Sequence, residues 1–176
     1  MSICIISTST NGFHKTNAKL TKKNIFEFAR LISLNYLIGD IKDNKFVQKE
    51  KIKHILKPKC INFDETAEKY HGISYEKACS KGLDNVEVIS SLRDKLKNVK
   101  HIISHNLPFH LKAIQVECFR TAIAIDFSRY NLIDTINFNH NFEYPKLTKL
   151  CDELKVKKSD SNLKMIKNVF LKLNSL

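Results

Sequence analysis

Ser2-Ile3-Cys4-Ile5-Ile6-Ser7-Thr8-Ser9-Thr10-Asn11-Gly12-Phe13 is the stretch on which the fold turns. Four apolar side chains, three of them β-branched isoleucines, stand between Ser2 and Ser7. The polar run Thr8–Asn11 and Gly12 follow. An apolar run this short, closed by turn-forming residues, reads as a buried strand over Ser2–Ser7 running into a turn.

Working outward, Phe28–Ile38 is apolar and partly alternating, a second strand, and Gly39–Asn44 is a Gly, Asp and Asn turn. Lys45–Leu56 alternates and reads as a third strand antiparallel to the second, ended by Pro58. Asp64–Tyr70, stopped by Gly72, and Ser74–Lys81, stopped by Gly82, read as short helices. Val86–Leu96 places Val86, Ile89, Leu92 and Leu96 on one helical face. His101–Ser104 is a short strand, Phe109–Ala124 a long helix with Ala113, Ile114 and Val116 apolar, and Asn131–Asp134 another strand. Lys146–Leu154 and Asn162–Leu173 are helices, the latter with Leu163, Ile166, Val169, Phe170 and Leu173 on one face. Three strands followed by alternating helices and strands imply an α/β fold, a mixed sheet with helices on its faces. No repeat or low-complexity linker divides residues 1–176, so a single domain is expected.

Composition narrows the function. The 176 residues are 43% hydrophobic and 27% charged, an ordinary globular mix. No run approaches eighteen apolar residues, which argues against a membrane span. The N-terminal apolar stretch is too short for a secretory signal. The five cysteines stand singly and form no CxxC, which points away from a disulfide framework or a zinc site and toward a reducing, cytoplasmic setting. The net charge is +12, and its distribution is uneven. Residues 1–60 carry +8, residues 61–143 carry −1 and residues 144–176 carry +5. Two basic ends that meet in space would make a surface suited to a polyanion. A solvated, lysine-rich surface is the plainer alternative.

Four stretches together resemble the DEDD exonuclease superfamily, in particular the DEDDh branch that contains the epsilon proofreading subunit of bacterial DNA polymerase III. Ile6-Ser7-Thr8-Ser9-Thr10-Asn11-Gly12-Phe13 is similar to the first exonuclease motif, F-D-T-E-T-T-G-L. Tyr70-His71-Gly72-Ile73-Ser74 resembles H-G-I-T, and Ile103-Ser104-His105-Asn106-Leu107-Pro108-Phe109-His110 resembles V-A-H-N-A-x-F-D. Leu132-Ile133-Asp134-Thr135, followed by Pro145-Lys146-Leu147 and Leu150, looks like the family's I-D-T strand and the helix after it. The resemblance implies a ribonuclease H-like fold, a five-stranded mixed sheet flanked by helices.

The same comparison implies a changed site. The family's four carboxylates, which hold two divalent metals, fall on Ser7, Ser9, His110 and Asn162, and its general-base histidine falls on Lys157. Hydroxyls, an imidazole and an amide bring no charge to balance two dications. A lysine of ordinary pKa is protonated at neutral pH and cannot serve as a base. The expectation is therefore a degenerate exonuclease that binds nucleic acid without metal-dependent cleavage, with no catalytic residue, metal or other cofactor. Thr8, Thr10, Phe13, His71, His105, Asn106, Phe109 and Lys157 are the residues expected to touch the strand, Phe13 by stacking on a terminal base and Lys157, with a protonated His110, by binding phosphate. The partners implied are DNA or RNA, as a single strand or an end, and a polymerase or other protein subunit, with no membrane. A role in DNA replication or repair goes with that resemblance.

Other readings stay open at this point. His105 and Asn106 serve equally as the end of a strand and the cap of the next helix, and His71 as a helix C-terminal residue favoured by the dipole. His101, His105 and His110 invite a metal, but their directions diverge along a strand and turn. Lys155, Lys157 and Lys158 are either phosphate contacts or solvated loop residues. A protein scaffold, or an active exonuclease using Asp126, Asp134 or Glu143, are the alternatives in function.

Overall fold

The computed structural model describes residues 1–60, 63–137 and 145–174. Among these residues five strands and six α-helices succeed one another: β1 (Ser2–Thr10), β2 (Leu31–Lys42), β3 (Lys45–Ile55), α1 (Glu65–His71), α2 (Tyr75–Lys81), α3 (Asn85–Leu96), β4 (His101–Ser104), α4 (Leu107–Thr121), β5 (Asn131–Asp134), α5 (Leu147–Glu153) and α6 (Asn162–Leu173). The five strands form one sheet in the order β3-β2-β1-β4-β5. β1 pairs antiparallel with β2 and parallel with β4, and β5 continues the parallel half. The mixed five-stranded sheet flanked by helices is thus present as expected.

β1 lies at the centre, so both of its faces are buried, and its alternation sorts the core into two layers. Cys4 and Ile6 meet Val88, Ile89, Leu92, Leu96, Ala113 and Ile114 of α3 and α4 on one side. Ile3 and Ile5 meet Leu163, Ile166 and Phe170 of α6 on the other. Each such buried aliphatic side chain contributes about 1.5–3 kcal/mol.

Several boundaries depart from the sequence reading. β1 runs three residues further, through Thr10, because its polar end stays paired with β2 as far as Leu31, with a bulge between Ser9 and Thr10. The β2–β3 turn is only Asp43-Asn44, both left-handed, with φ 48° and 55°, a conformation that Asp and Asn tolerate. Gly39 is a strand residue instead; a Cβ there would collide with the Val47 carbonyl, so its glycine answers to close packing at a bulge. Val86 faces solvent at 51% exposure, and Val88 takes its expected place in the core. α4 begins at Leu107, two residues early, because its cap comes from outside the helix.

That cap is Asp134, at the end of β5. Its carboxylate accepts the amides of Asn106 (2.9 Å), Leu107 (2.8 Å) and Ile136 (3.1 Å). Asn106 itself sits left-handed at φ 63° and makes no side-chain cap bond. The carboxylate therefore lies at the positive end of α4, where helix dipole and free amides both favour it.

β3 forms one margin of the sheet and carries Lys45, Lys49, Lys51 and Lys53. β5, only four residues long, forms the other. Among the described residues no helix is long and apolar enough to cross a membrane.

Candidate functional site

The C-terminal end of β1 floors a groove of about 580 Å³. Ser7, Thr8, Ser9 and Thr10 lie at its base. Thr66, Ala67, Tyr70 and His71 of α1 form one wall, and Lys146, Leu147, Asn162, Met165 and Ile166, from the starts of α5 and α6, form the other. His105, Asn106, Phe109 and His110 close the end at α4. Sheet topology explains the site: the central strand stops here, and the N-termini of three helices converge on its end.

The floor is uncharged. His110 is partly buried and joins β1 to α4. Its Nδ1 accepts the Thr8 amide (3.1 Å) and the Thr8 hydroxyl (2.7 Å), and its Nε2–H donates to the His105 carbonyl (3.1 Å). Burial pushes its pKa down to about 4. The expected protonated His110 is thus corrected: the ring is neutral at pH 7, and both nitrogens are spent on holding the backbone. His105 is held likewise, Nδ1 against the Thr135 hydroxyl (2.8 Å) and Nε2 against the Pro145 carbonyl (2.8 Å).

His71 ends α1, and its Nδ1 accepts the Ile73 amide (3.1 Å), which leaves the proton on Nε2. Burial lowers its pKa, and the Thr10 backbone opposes that shift. The ring therefore orders the chain just after α1, and it lines the groove.

Two aromatic rings stand out of the mouth. Phe13 is 79% exposed and Tyr70 is 87% exposed. Phe13 rides on a turn that is firmly staked. The Asn11 amide donates to the Arg30 carbonyl (2.9 Å), Asn11 Oδ1 accepts the Arg30 amide (2.6 Å), and the Asp64 amide donates to the Asn11 carbonyl (2.9 Å). The backbone beneath the ring is thus fixed, and Phe13 and Tyr70 together put exposed apolar surface on one groove, the kind of patch that marks contact.

Seven of the eight residues expected to touch a strand line this one groove: Thr8, Thr10, Phe13, His71, His105, Asn106 and Phe109. Ser7, Ser9, His110 and Asn162 line it with them. Lys157 does not; it is exposed on the connection between α5 and α6. The lysine that does line the groove is Lys146, and apart from histidines it is the one charged side chain among the described lining residues. Sequence reasoning placed Lys146 only as part of a helix start. Its place there depends on a contact between distant segments, His105 against the carbonyl of Pro145.

Two of the three carboxylates named for an active exonuclease have hydrogen-bonding roles in the fold. Asp134 is the α4 cap. Asp126 caps the short turn Phe127–Arg129, accepting the amide (3.1 Å) and hydroxyl (2.6 Å) of Ser128. Glu143 lies outside the described residues. Among the described residues no three His, Cys, Asp or Glu side chains gather closely enough to hold a metal ion, and His101 sits at the far end of β4, away from His105 and His110. Hydroxyls, an amide and a neutral imidazole with both nitrogens engaged do not fit a pair of hard dications.

Comparison with solved structures decides the fold. Exonuclease I without ligand superposes with a TM-score of 0.74 at 12% identity, over 99% of this chain and 42% of its own. The moderately thermophilic exonuclease I of Methylocaldum szegediense gives 0.74 at 13%, over 99% and 40%. Exonuclease I of E. coli, in complex with an oligonucleotide, gives 0.72 at 14%, over 99% and 40%. This chain carries the exonuclease I fold. It spans about two-fifths of the length of those proteins. No protein-family model matches the chain, and no curated protein matches it significantly. The ribonuclease H-like expectation thus rests on the course of the backbone, and the groove lies at the end of the strand that carries the first of the quoted motifs.

Proposed function

We propose that this chain, acting as a single domain, grips a single strand or an end of nucleic acid in the β1 groove without cleaving it. The uncharged floor carries the reading. Where the resemblance calls for anionic metal ligands, the groove offers two serines, an asparagine and a neutral histidine whose nitrogens are taken by backbone. A phosphate approaching this floor meets no carboxylate among the described lining residues and meets Lys146 on the wall. Phe13 and Tyr70 offer π-faces at the mouth, where bases stack without regard to sequence. The overall charge of +12 supplies long-range attraction. Thr8, Thr10, His71, His105, Asn106 and Phe109 shape the remaining contact surface.

Fluorescence anisotropy with short labelled single strands tests the binding. Saturable binding at low salt is expected, weakening steeply as salt rises, and absence of binding at low salt removes the proposal. Phe13→Ala should weaken it by about 1–3 kcal/mol and leave the melting temperature unchanged, since the ring is solvent-exposed. Incubation of a labelled strand with Mg²⁺ or Mn²⁺ should leave it intact; mononucleotide release abolished by EDTA would restore the active-exonuclease reading.

A second reading has its own support. The chain matches about two-fifths of exonuclease I, which has also been solved in complex with SSB-Ct, so a scaffold role in a replication or repair assembly follows if the partner is a protein. Apolar protein contact should survive moderate salt, whereas phosphate contact should not.

A further inference from the structure

The polar floor of the groove continues across the sheet. On β1, Cys4 and Ile6 face α3 and α4, so Ile3, Ile5 and Ser7 face α6. Directly paired residues of antiparallel strands point to the same side of a sheet. Ser7 pairs with Asn35 of β2, and Asn35 with Lys53 of β3. One row therefore runs from the floor of the groove to the β3 margin. The row beside it runs Ile5, Leu37, Lys51. Leu37 is buried beneath α6 with Leu163, Ile166 and Phe170, which fixes the side on which both lysines stand.

α6 overhangs these rows and packs on β2 and β3. Its Met165 and Val169 meet Leu150 and Cys151 of α5. Leu147 of α5 joins the cluster of Ile103 and Ile133, on β4 and β5, so the flank of α6 away from α5 faces the β3 side. Lys167 follows Met165 by two residues, a rotation of about 200°, and stands on that flank. Lys51, Lys53 and Lys164 are exposed and Lys167 is half-buried. None of the four takes part in an ion pair among the described residues. α6 has no acidic residue. The two acids of β2 and β3, Asp40 and Glu50, point to the opposite face, where they hold Lys49 (2.6 Å) and Lys95 (2.5 Å).

Such a corner reads phosphates and nothing else. The exposed rings Phe13, Phe26 and Tyr70 lie on other segments, and Phe46 of β3 is packed against the core under α6. Bare bases would find nothing here to stack on. A duplex hides its bases and presents a surface of phosphates. Resting on the proposed grip of the groove, we propose that the corner between α6 and β3 seats the double-stranded body of a nucleic acid whose single-stranded end lies in the β1 groove. The ligand class is a duplex with a protruding strand, recognised by its phosphates on Lys51, Lys53, Lys164 and Lys167.

The test measures fluorescence anisotropy of the full chain with a labelled strand of about eight nucleotides, alone and as the tail of a hairpin duplex. The tailed duplex should bind the wild type more tightly than the tail. Lys51→Ala, Lys53→Ala and Lys167→Ala should each lose about three- to tenfold for the tailed duplex and bind the free tail as before. Each lost contact should lower the salt slope for the tailed duplex by about 0.9. Lys49→Ala removes the same charge from the opposite face and should change neither affinity. Lys51 and Lys53 are exposed, so their variants keep the test valid if Lys167→Ala folds poorly. No gain from the duplex, equal losses for tail and tailed duplex, or an equal effect of Lys49→Ala would overturn the proposal. Saturable binding of a polyglutamate peptide lost in the same three variants, with no gain from the duplex, would give the face to an acidic protein segment instead. Failure of the wild type to bind even the free tail would overturn the groove reading, and this one with it.

Discussion

At pH 7 the His110 imidazole is neutral and acts as a bracket, taking the Thr8 amide on one nitrogen and giving its proton to the His105 carbonyl from the other. Its pKa of about 4 lies below the ordinary value of 6.5. The unfolded chain therefore binds a proton that the folded chain refuses, and the folded state loses stability as acid is added. The contribution is complete above pH 6.5, declines as the pH falls from there, and is gone below about 4; it amounts to on the order of 3 kcal/mol. Melting temperatures of the wild type and His110→Gln across that window should converge toward the acid end, and parallel curves would refute the assignment. At pH 7 the variant should also melt lower, since the Thr8 amide and the His105 carbonyl lose a fitted partner.

Among the elements, α4 depends on residues that are not its own. Asp134→Ala removes the acceptor for two amides at its start, and a loss of about 1–2 kcal/mol is expected, read as a lower urea midpoint with an unchanged slope. Arg120→Met should cost more, about 3–5 kcal/mol, because it strands the fully buried Glu117, which otherwise accepts from Arg120, from Asn85 Nδ2 (3.2 Å) and from the Leu31 amide (3.3 Å). Chemical denaturation of Arg120→Met with and without Glu117→Gln checks this, since neutralising the orphaned acid should recover part of the loss. These dependencies mark where the sequence could be read and where it could not. Ile3 to Ile6 declare a buried strand because apolar β-branched runs have few other uses, and α6 declares its face through Leu163, Ile166 and Phe170. The strand end at Ser7–Thr10 is polar, so its continuation depends on pairing with β2, a partner some twenty residues away. Val86 and Val88 are equally apolar, but a helical turn of about 100° per residue puts Val88 inside the arc of Ile89, Leu92 and Leu96 and Val86 outside it, so the full helical period, and not the three-residue spacing alone, chooses Val88. Asp134 as a cap, and Lys146 rather than Lys157 on the groove wall, follow from the meeting of distant segments. The residues at β1 and α4 that line the groove were legible because they fall within ordered motifs; the neutral state of His110 was not, because it depends on how deeply the packed fold buries the ring.

For the molecule as a whole, the arrangement of charge and shape divides labour between its faces. The groove is nearly free of formal charge, while the excess of lysine is spread over the outer surface. On the proposed function, attraction to a polyanion is a property of the body, and seating is a property of the hollow. Raising the salt concentration should chiefly slow association, and substitution at Phe13 should chiefly hasten release, which stopped-flow mixing separates. The four lysines of β3 have a use of their own. An unpaired sheet margin invites another chain to extend it, and a row of ammonium groups makes that docking repulsive. The opposite margin is guarded by brevity, since four residues offer too few rungs to recruit a neighbour. Copies of this molecule are thereby kept from zipping into fibrils even where they crowd together.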